Sequence, residues 1–238
     1  MAAESSNLAT GSTNQYQKEI IAHWNGRSRE YDSRPHHGLQ SQREKEVWLE
    51  ALRSLLPQAP ADVLDVGTGT GFLALLLAEL GYRVVGIDLA PDMLEIAQSK
   101  CTNEITPRFE LGDAAAPSFP DSSFDVIISR HLLWTLLDPV RAFCNWHRLL
   151  RPGGRVIAID SLNPSPRQPQ LTTYSEEVLK ALPLRHPGKP DPALELFKAT
   201  GFTDARAERL KSIEEIQQEV DPQSASPDRH VFIAVRES

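Results

Sequence analysis

The residues with the most chemistry in them are Asp65, Gly67, Gly69, Gly71 and Asp88. The glycines lie in Val63-Leu64-Asp65-Val66-Gly67-Thr68-Gly69-Thr70-Gly71, where an apolar strand passes through a turn into a helix. Glycine lets the backbone turn tightly and lets a ligand lie against it. The following helix aims free N–H groups and the positive end of its dipole at that ligand. Asp88 ends the next apolar run, RVVGID. An acid at about this distance bonds a ribose hydroxyl in nucleotide-binding sheets. Dinucleotide sites favour GxGxxG, but the spacing here is GxGxG with Asp65 two residues ahead of it. A carboxylate there would repel a pyrophosphate and suit an ammonium group. The pattern therefore implies a ribose-bearing cofactor that also carries a positive charge.

A regular scaffold must hold these residues. Residues 1–13 are small and polar and predict a disordered lead-in. Residues 14–58 predict a helical cap, interrupted by the loop YDSRPHHG at 31–38. Beyond it, apolar runs at 61–67, 83–88, 108–111, 124–129 and 155–160 alternate with helical stretches at 72–81, 90–100 and 138–150. Asp138 reads as an N-cap with Pro139 behind it, and RPGG at 151–154 as a turn. Strands this rich in Val, Ile and Leu belong to a parallel sheet buried on both faces. Right-handed crossovers then give a doubly wound α/β fold. The Pro-rich stretch 162–190, with a short helical piece near 175–182, reads as a lid-like insertion. A helix at 191–200 and strands near 205–210 and 230–236 close the domain, which spans 59–238.

Four blocks fall in order along this scaffold: VLDVGTGTGFLAL, VVGIDLAPDML, FELGDAAAPSFPDSSFDVIISRHLLW and RLLRPGGRVIAID. Together they resemble a class I S-adenosylmethionine-dependent methyltransferase of the small-molecule type, over residues about 61–160. HWNGRSREYDS at 23–33 extends the likeness toward the N-terminus. The resemblance implies a mostly parallel, seven-stranded Rossmann-like sheet and S-adenosyl-L-methionine as cofactor. It puts Asp65, Gly67, Gly69 and Gly71 at the methionine end, with Asp65 near the ammonium group. It gives Asp88 both ribose hydroxyls, and it packs Leu89 and Met93 on the adenine. Asp113 and the Ala114 backbone face the adenine amino group, and Arg130 lies beside the sulfonium.

Methyl transfer is an in-line displacement, so the protein must align the acceptor and exclude water. A general base helps where the acceptor must lose a proton. His131, just past the fourth strand, is the first candidate, since imidazole titrates near neutral pH. Tyr31 and His37 are the others. His36, Trp134, Tyr174 and His186 stand in the same three regions of cap, loop and insertion, as packing or loop residues or as pocket lining. No metal-ligand spacing is present, so no metal is expected.

The formal net charge of −7 argues against phosphate-driven nucleic-acid binding. The region after the fourth strand, SRHLLW, also lacks the Asn/Asp-Pro-Pro-aromatic motif of amino-methylating nucleic-acid enzymes. No apolar run is long enough to span a membrane. Two cysteines without a CxxC, and a start lacking a signal pattern, fit a reduced cytoplasm. A small-molecule acceptor and a monomer or homodimer are expected. The layout also resembles quinone-ring C-methyltransferases, although SRHLLWTL departs from their usual motif. A nicotinamide-dependent oxidoreductase would need a different glycine spacing, and a silent scaffold would have lost the glycine loop or Asp88.

Overall fold

A computed structural model describes residues 2–161, 174–185, 189–222 and 228–237, with side chains from Asn14 onward. Seven strands form one sheet: β1 (Asp62–Val66), β2 (Arg83–Asp88), β3 (Arg108–Leu111), β4 (Phe124–Arg130), β5 (Leu150–Ser161), β6 (Thr203–Arg209) and β7 (Arg229–Val235). Their order is β3-β2-β1-β4-β5-β7-β6. β7 is antiparallel to both its neighbours, and the pairs from β3 to β5 are parallel. The chain reverses direction across the sheet between β1 and β4, where α/β folds open a crevice beyond the strand ends.

Alternation along the strands sorts side chains into two cores. Leu64, Val66, Ile127, Val156 and Ala158 face α6 (Pro139–Leu149) and α8 (Asp191–Ala199), around Phe143, Trp146 and Phe197. Val63, Val126, Ile128, Ile157 and Ile159 face α3 (Gln42–Leu55), α4 (Phe72–Glu79) and α9 (Lys211–Val220), around Trp48 and Leu77. Both faces are therefore dry, as continuous Val/Ile/Leu strands require. β3 differs: it is one of the sheet's two edges, with Leu111 67% exposed.

Local signals explain the boundaries. Asp138 accepts the Arg141 N–H at 2.9 Å and Pro139 takes the first position of α6. Gly81 follows α4 at φ 87°, and Pro91 opens α5 (Pro91–Ser99). The RPGG stretch is not a free turn. β5 runs through it with a register shift, Gly153 at φ 77° takes the bend, and its N–H donates to the Arg236 carbonyl at 2.9 Å. α1 (Ala2–Asn25) reaches back through residues for which composition predicts disorder. That stretch has no proline, and its alanines and leucine favour helix. α2 (Ser28–Tyr31) and α3 complete the N-terminal cap, and α7 (Glu176–Ala181) lies close to the short helix expected near 175–182. Most of the expected insertion, and His186 with it, lies outside the described residues. Among the described residues no helix is long and apolar enough to cross a membrane.

Candidate active site

The turn after β1 holds three left-handed glycines, with φ of 66° at Gly67, 55° at Gly69 and 82° at Gly71. The Thr68 N–H donates to the Ile87 carbonyl and the Gly71 N–H to the Thr68 carbonyl, both at 2.9 Å, which fixes the turn against β2. The surroundings of the glycines differ. A Cβ on Gly71 would lie 2.9 Å from the Phe109 ring, whereas one on Gly69 would meet nothing within 4 Å. Gly69 thus presents bare backbone to open space.

That space is a cavity of about 170 Å³ at the carboxyl ends of the strands. Ten of the expected residues line it: Gly67, Gly69, Asp88, Leu89, Met93, Asp113, Ala114, Arg130, Tyr31 and His131. Asp65, Gly71 and His37 do not. Asp65 lies under the turn, 1% exposed, where its Oδ2 accepts the Thr68 hydroxyl at 2.7 Å. Burial pushes its carboxyl up to about 7 against that hydrogen bond. Asp88 Oδ2 accepts the Gly69 N–H at 2.9 Å and Oδ1 the Ala90 N–H at 2.8 Å. Burial raises this carboxyl too. A carboxylate has about four lone-pair directions, so Asp88 keeps acceptor capacity toward the cavity. With the bare face of Gly69 beside it, this edge fits a ribose-bearing group. Asp113 accepts the Ala115 N–H at 2.8 Å and the Gln17 side-chain amide of α1 at 3.1 Å.

The cap closes over this edge. The Thr70 hydroxyl donates to Asp32 Oδ1 at 2.6 Å, and Lys100 pairs with Asp32 and donates to the Thr70 carbonyl at 2.9 Å. Aromatic rings form the cap wall: Trp24 meets Tyr31 at 5.9 Å and Trp134 at 6.1 Å, and Trp134 meets Tyr174 at 6.3 Å. Tyr31 also meets His37, with ring centroids 4.6 Å apart and the planes tilted by 53°.

Beyond the glycine turn the charge changes sign. Arg130 is 8% exposed, donates to the carbonyls of His36 and His37, and lies 3.5 Å above the Phe72 ring. Arg229, 2% exposed on β7, donates Nε–H to Gln217 at 3.2 Å and turns Nη1 to His131 Nε2. Asp160, at the end of β5, accepts the Leu133 and Ser161 N–H groups at 2.9 Å each. Burial pushes it up to about 6.

This setting acts on the histidines. Burial, then Arg229 and Arg130, drives His131 well below its ordinary value of 6.5. The same influences lower His36 to about 4 and His37 to about 2. Both influences favour the neutral ring of His131. His36 and His37 are buried rather than loop-surface residues, at 5% and 4% exposed. Sequence reasoning missed Arg229, Asp160 and the α1 residues Gln17, Ile20 and Trp24. A buried arginine opening the last apolar strand, HVFIAV, was the available signal for Arg229. Among the described residues no cluster of three His, Cys, Asp or Glu side chains is placed to hold a metal.

Residues 64–158 match the methyltransferase domain family. The demethylmenaquinone methyltransferase of Thermus thermophilus is 41% identical over 108 residues, 44% of this chain and 49% of that protein. The demethylmenaquinone methyltransferase of Deinococcus radiodurans is 31% identical over 178 residues, 64% of this chain and 72% of that one. The chain spans about half the length of the first curated relatives it matches. Among solved structures, Haemonchus contortus phosphoethanolamine N-methyltransferase 2 superposes with a TM-score of 0.62 at 21% identity, over 81% of this chain and 53% of that one. This last likeness is one of fold.

Proposed function

Because this chain belongs to the class I S-adenosylmethionine-dependent methyltransferases, we propose that it binds S-adenosylmethionine and moves the methyl group to a small organic acceptor. One observation carries the reading. The bare backbone face of Gly69 and the Asp88 carboxylate share a cavity with Arg130, Tyr31 and His131. When bound, the cofactor supplies a methyl group already activated on a sulfonium.

The remaining work falls to the chain's own residues. Gly67 and Gly69 make room for the methionine end, Gly71 lets the turn pack against Phe109, and Asp65 beneath them supplies negative charge for the ammonium. Asp88 accepts the ribose hydroxyls. Leu89 and Met93 flank the adenine, whose amino edge faces Asp113 and the Ala114 backbone. Arg130 stands between this half and the acceptor. Tyr31 and His131 bound the acceptor space, with His37 behind them. Trp24 and Trp134 of the cap wall keep water away. No residue of this set requires a metal.

A quinone-ring acceptor is the second reading. Trp24 and Trp134 meet edge to face in an apolar wall, and the two relatives described above carry the name demethylmenaquinone methyltransferase. Calorimetry with S-adenosylhomocysteine and with NADH tests the cofactor. Tight binding of the first and none of the second is expected, and the reverse would end the reading. Transfer of labelled methyl to demethylmenaquinol, set against a panel of small phenols and amines, separates the two acceptor readings.

A further inference from the structure

Two neighbouring faces of α1 meet different things. Gln17, Ile20, Ile21 and Trp24 line the cavity, at the i, i+3, i+4, i+7 spacing of one helix face. They cover about 10 Å of helix axis. That length runs from Asp113 at the cofactor end to the Tyr31 and Trp134 rings at the acceptor end. Tyr16, Glu19, Ile20 and His23 repeat the spacing one residue earlier, turned by about 100° around the axis. This second face meets residues 174–182. Glu19 accepts the Ser175 N–H and, at 2.9 Å, the Ser175 hydroxyl. The His23 ring lies 4.6 Å from that of Tyr174, and Ile20 is buried with Tyr174, Val178 and Leu182.

The core formed there belongs to the roof of the cavity. Among the described residues no strand residue enters it, and Trp134 and Leu137 of the loop after β4 pack against it. α7 has six residues, too few to stand unsupported. Its N-cap is Ser175, whose hydroxyl accepts the Val178 N–H at 3.3 Å while donating to Glu19. α1 thus holds α7 by its first turn. Tyr174, just ahead of α7, carries this support into the aromatic wall by meeting Trp134. None of residues 174–185 lines the cavity, so α7 acts on a ligand there only through its neighbours. α1 in turn is fixed at its C-terminal end, where Asn25 accepts the Asp92 N–H at 3.1 Å, and at Gln17, whose amide donates to Asp113. Asp113 also accepts the Ala115 N–H, and a carboxylate with about four lone-pair directions has capacity for a further donor.

We propose that Gln17 and Glu19 are positioning residues through which α1 couples the two ligands: cofactor seated against the Gln17 face holds α1 down, and α1 through Glu19 holds α7 and Tyr174 in the acceptor wall. The cofactor therefore binds first, and the acceptor wall is complete only above it. This proposal rests on the methyltransferase reading. A ligand shifts such an element only through contacts that one of its positions lacks. The cavity face of α1 supplies those contacts, since Gln17, Ile20, Ile21 and Trp24 reach the cofactor only while the helix is seated. Segments held by few buried contacts open with the smallest free energy, and a six-residue helix on a small separate core is one of these. Neither Gln17 nor Glu19 touches the reacting atoms.

Hydrogen exchange of the full chain, free and saturated with S-adenosylhomocysteine, tests the coupling. Exchange across 174–182 should slow about tenfold on binding, an ordinary coupling factor, although no residue there lines the cavity. Glu19→Ala should bind S-adenosylhomocysteine within about threefold of wild type and keep the slowing at Gly67–Gly71, yet lose it across 174–182. Glu19→Gln, which keeps an oxygen for the Ser175 N–H, should restore most of it. Wild-type exchange across 174–182 that ignores the ligand overturns the proposal. So does full slowing in Glu19→Ala, or a Glu19→Gln as deficient as Glu19→Ala. A second comparison needs no ligand. Gln17→Leu keeps a good helix former and removes the bond to Asp113, so in the free protein it should quicken exchange across 174–182 a few-fold from the other face of the helix. Unchanged rates there overturn the proposal. Failure of S-adenosylhomocysteine to bind the wild type would instead remove the cofactor reading, and with it the order of binding, while the ligand-free comparison still decides whether α1 holds α7.

Discussion

The two ends of the cavity are built on opposite plans. At the cofactor end the charged groups are carboxylates, Asp65, Asp88 and Asp113. Each accepts a donor within three residues of itself, and Asp88 and Asp113 add the more distant Gly69 N–H and Gln17 amide. At the acceptor end they are cations: Arg130 is held by carbonyls more than 90 positions away, and Arg229 by Gln217, 12 positions away, and by His131, 98 away. The first end is local backbone geometry repeated at the ends of consecutive strands. The second is a meeting of cap, β4, β5 and β7. A nucleotide cofactor offers hydroxyls and an ammonium group, which local acids and N–H groups can meet. The cations at the other end are buried, and only a folded core takes them out of water.

The largest effect expected from this contrast is on stability. Asp65 is held near 7 in the fold against an ordinary 3.8, a gap worth on the order of 4 kcal/mol. The fold favours its protonated form, so its stabilising contribution is present below about pH 3.8 and is lost as pH rises toward 7. Asp65→Asn should therefore melt higher than wild type at pH 8, with the two curves converging near pH 4, while losing its response to S-adenosylhomocysteine. A variant less stable than wild type at pH 8 would mean that this carboxylate is not under electrostatic strain.

Next in size is Gly69→Leu. Its Cβ meets no atom of the protein, so the free protein should lose only about 1–2 kcal/mol to the left-handed backbone. The side chain would fill the cofactor's space, and calorimetry should find affinity down by about a hundredfold, some 2.7 kcal/mol. Normal binding would show that the open face of Gly69 is not where the cofactor lies. Asp88→Ala should weaken S-adenosylhomocysteine at least about tenfold, since a lost charge-assisted partner costs roughly 1.5–3 kcal/mol. Unchanged affinity in a folded variant would end that assignment. The smallest effect belongs to Asp32→Asn. The Asp32–Lys100 pair is about one-third exposed and worth at most about 1 kcal/mol. Stopped-flow release of S-adenosylhomocysteine should quicken a few-fold with the melting temperature nearly unchanged. Equal release rates would mean that the cap is not a barrier to the cofactor.

The same contrast explains what could be read in advance. β2 and β3 begin and end where the apolar runs do, and Asp138, Pro91 and Gly81 mark helix ends through chemistry contained within one turn. Ten of the thirteen expected site residues line one cavity because the glycine turn, the ends of β2 and β4 and the loop after β3 are each local motifs. The state of His131 was not legible. Its ionisation depends on Arg229, 98 positions away, and on burial that appears only when β7 pairs with β5. α9 escaped notice because its buried Ile213 and Ile216 sit among acidic and amide residues.

The register of β7 has a consequence for how the protein comes into being. Ser161 pairs with Arg229, so the last strand begins where β5 ends and delivers its arginine to the acceptor end as it enters the sheet. The acids of the cofactor end lie before residue 131, and the loop of Ala114 and Ala115 is held by Trp146 and Asn145 of α6, so this end is encoded before β7. Ribosomes add roughly 5–20 residues per second, so the stretch from there to β7 takes several seconds or more. During that interval the nascent chain can carry a formed nucleotide cleft with no partner for His131. Arg229 is thus the last of the site's charged groups to be made, and it reaches His131 only when β7 enters the sheet.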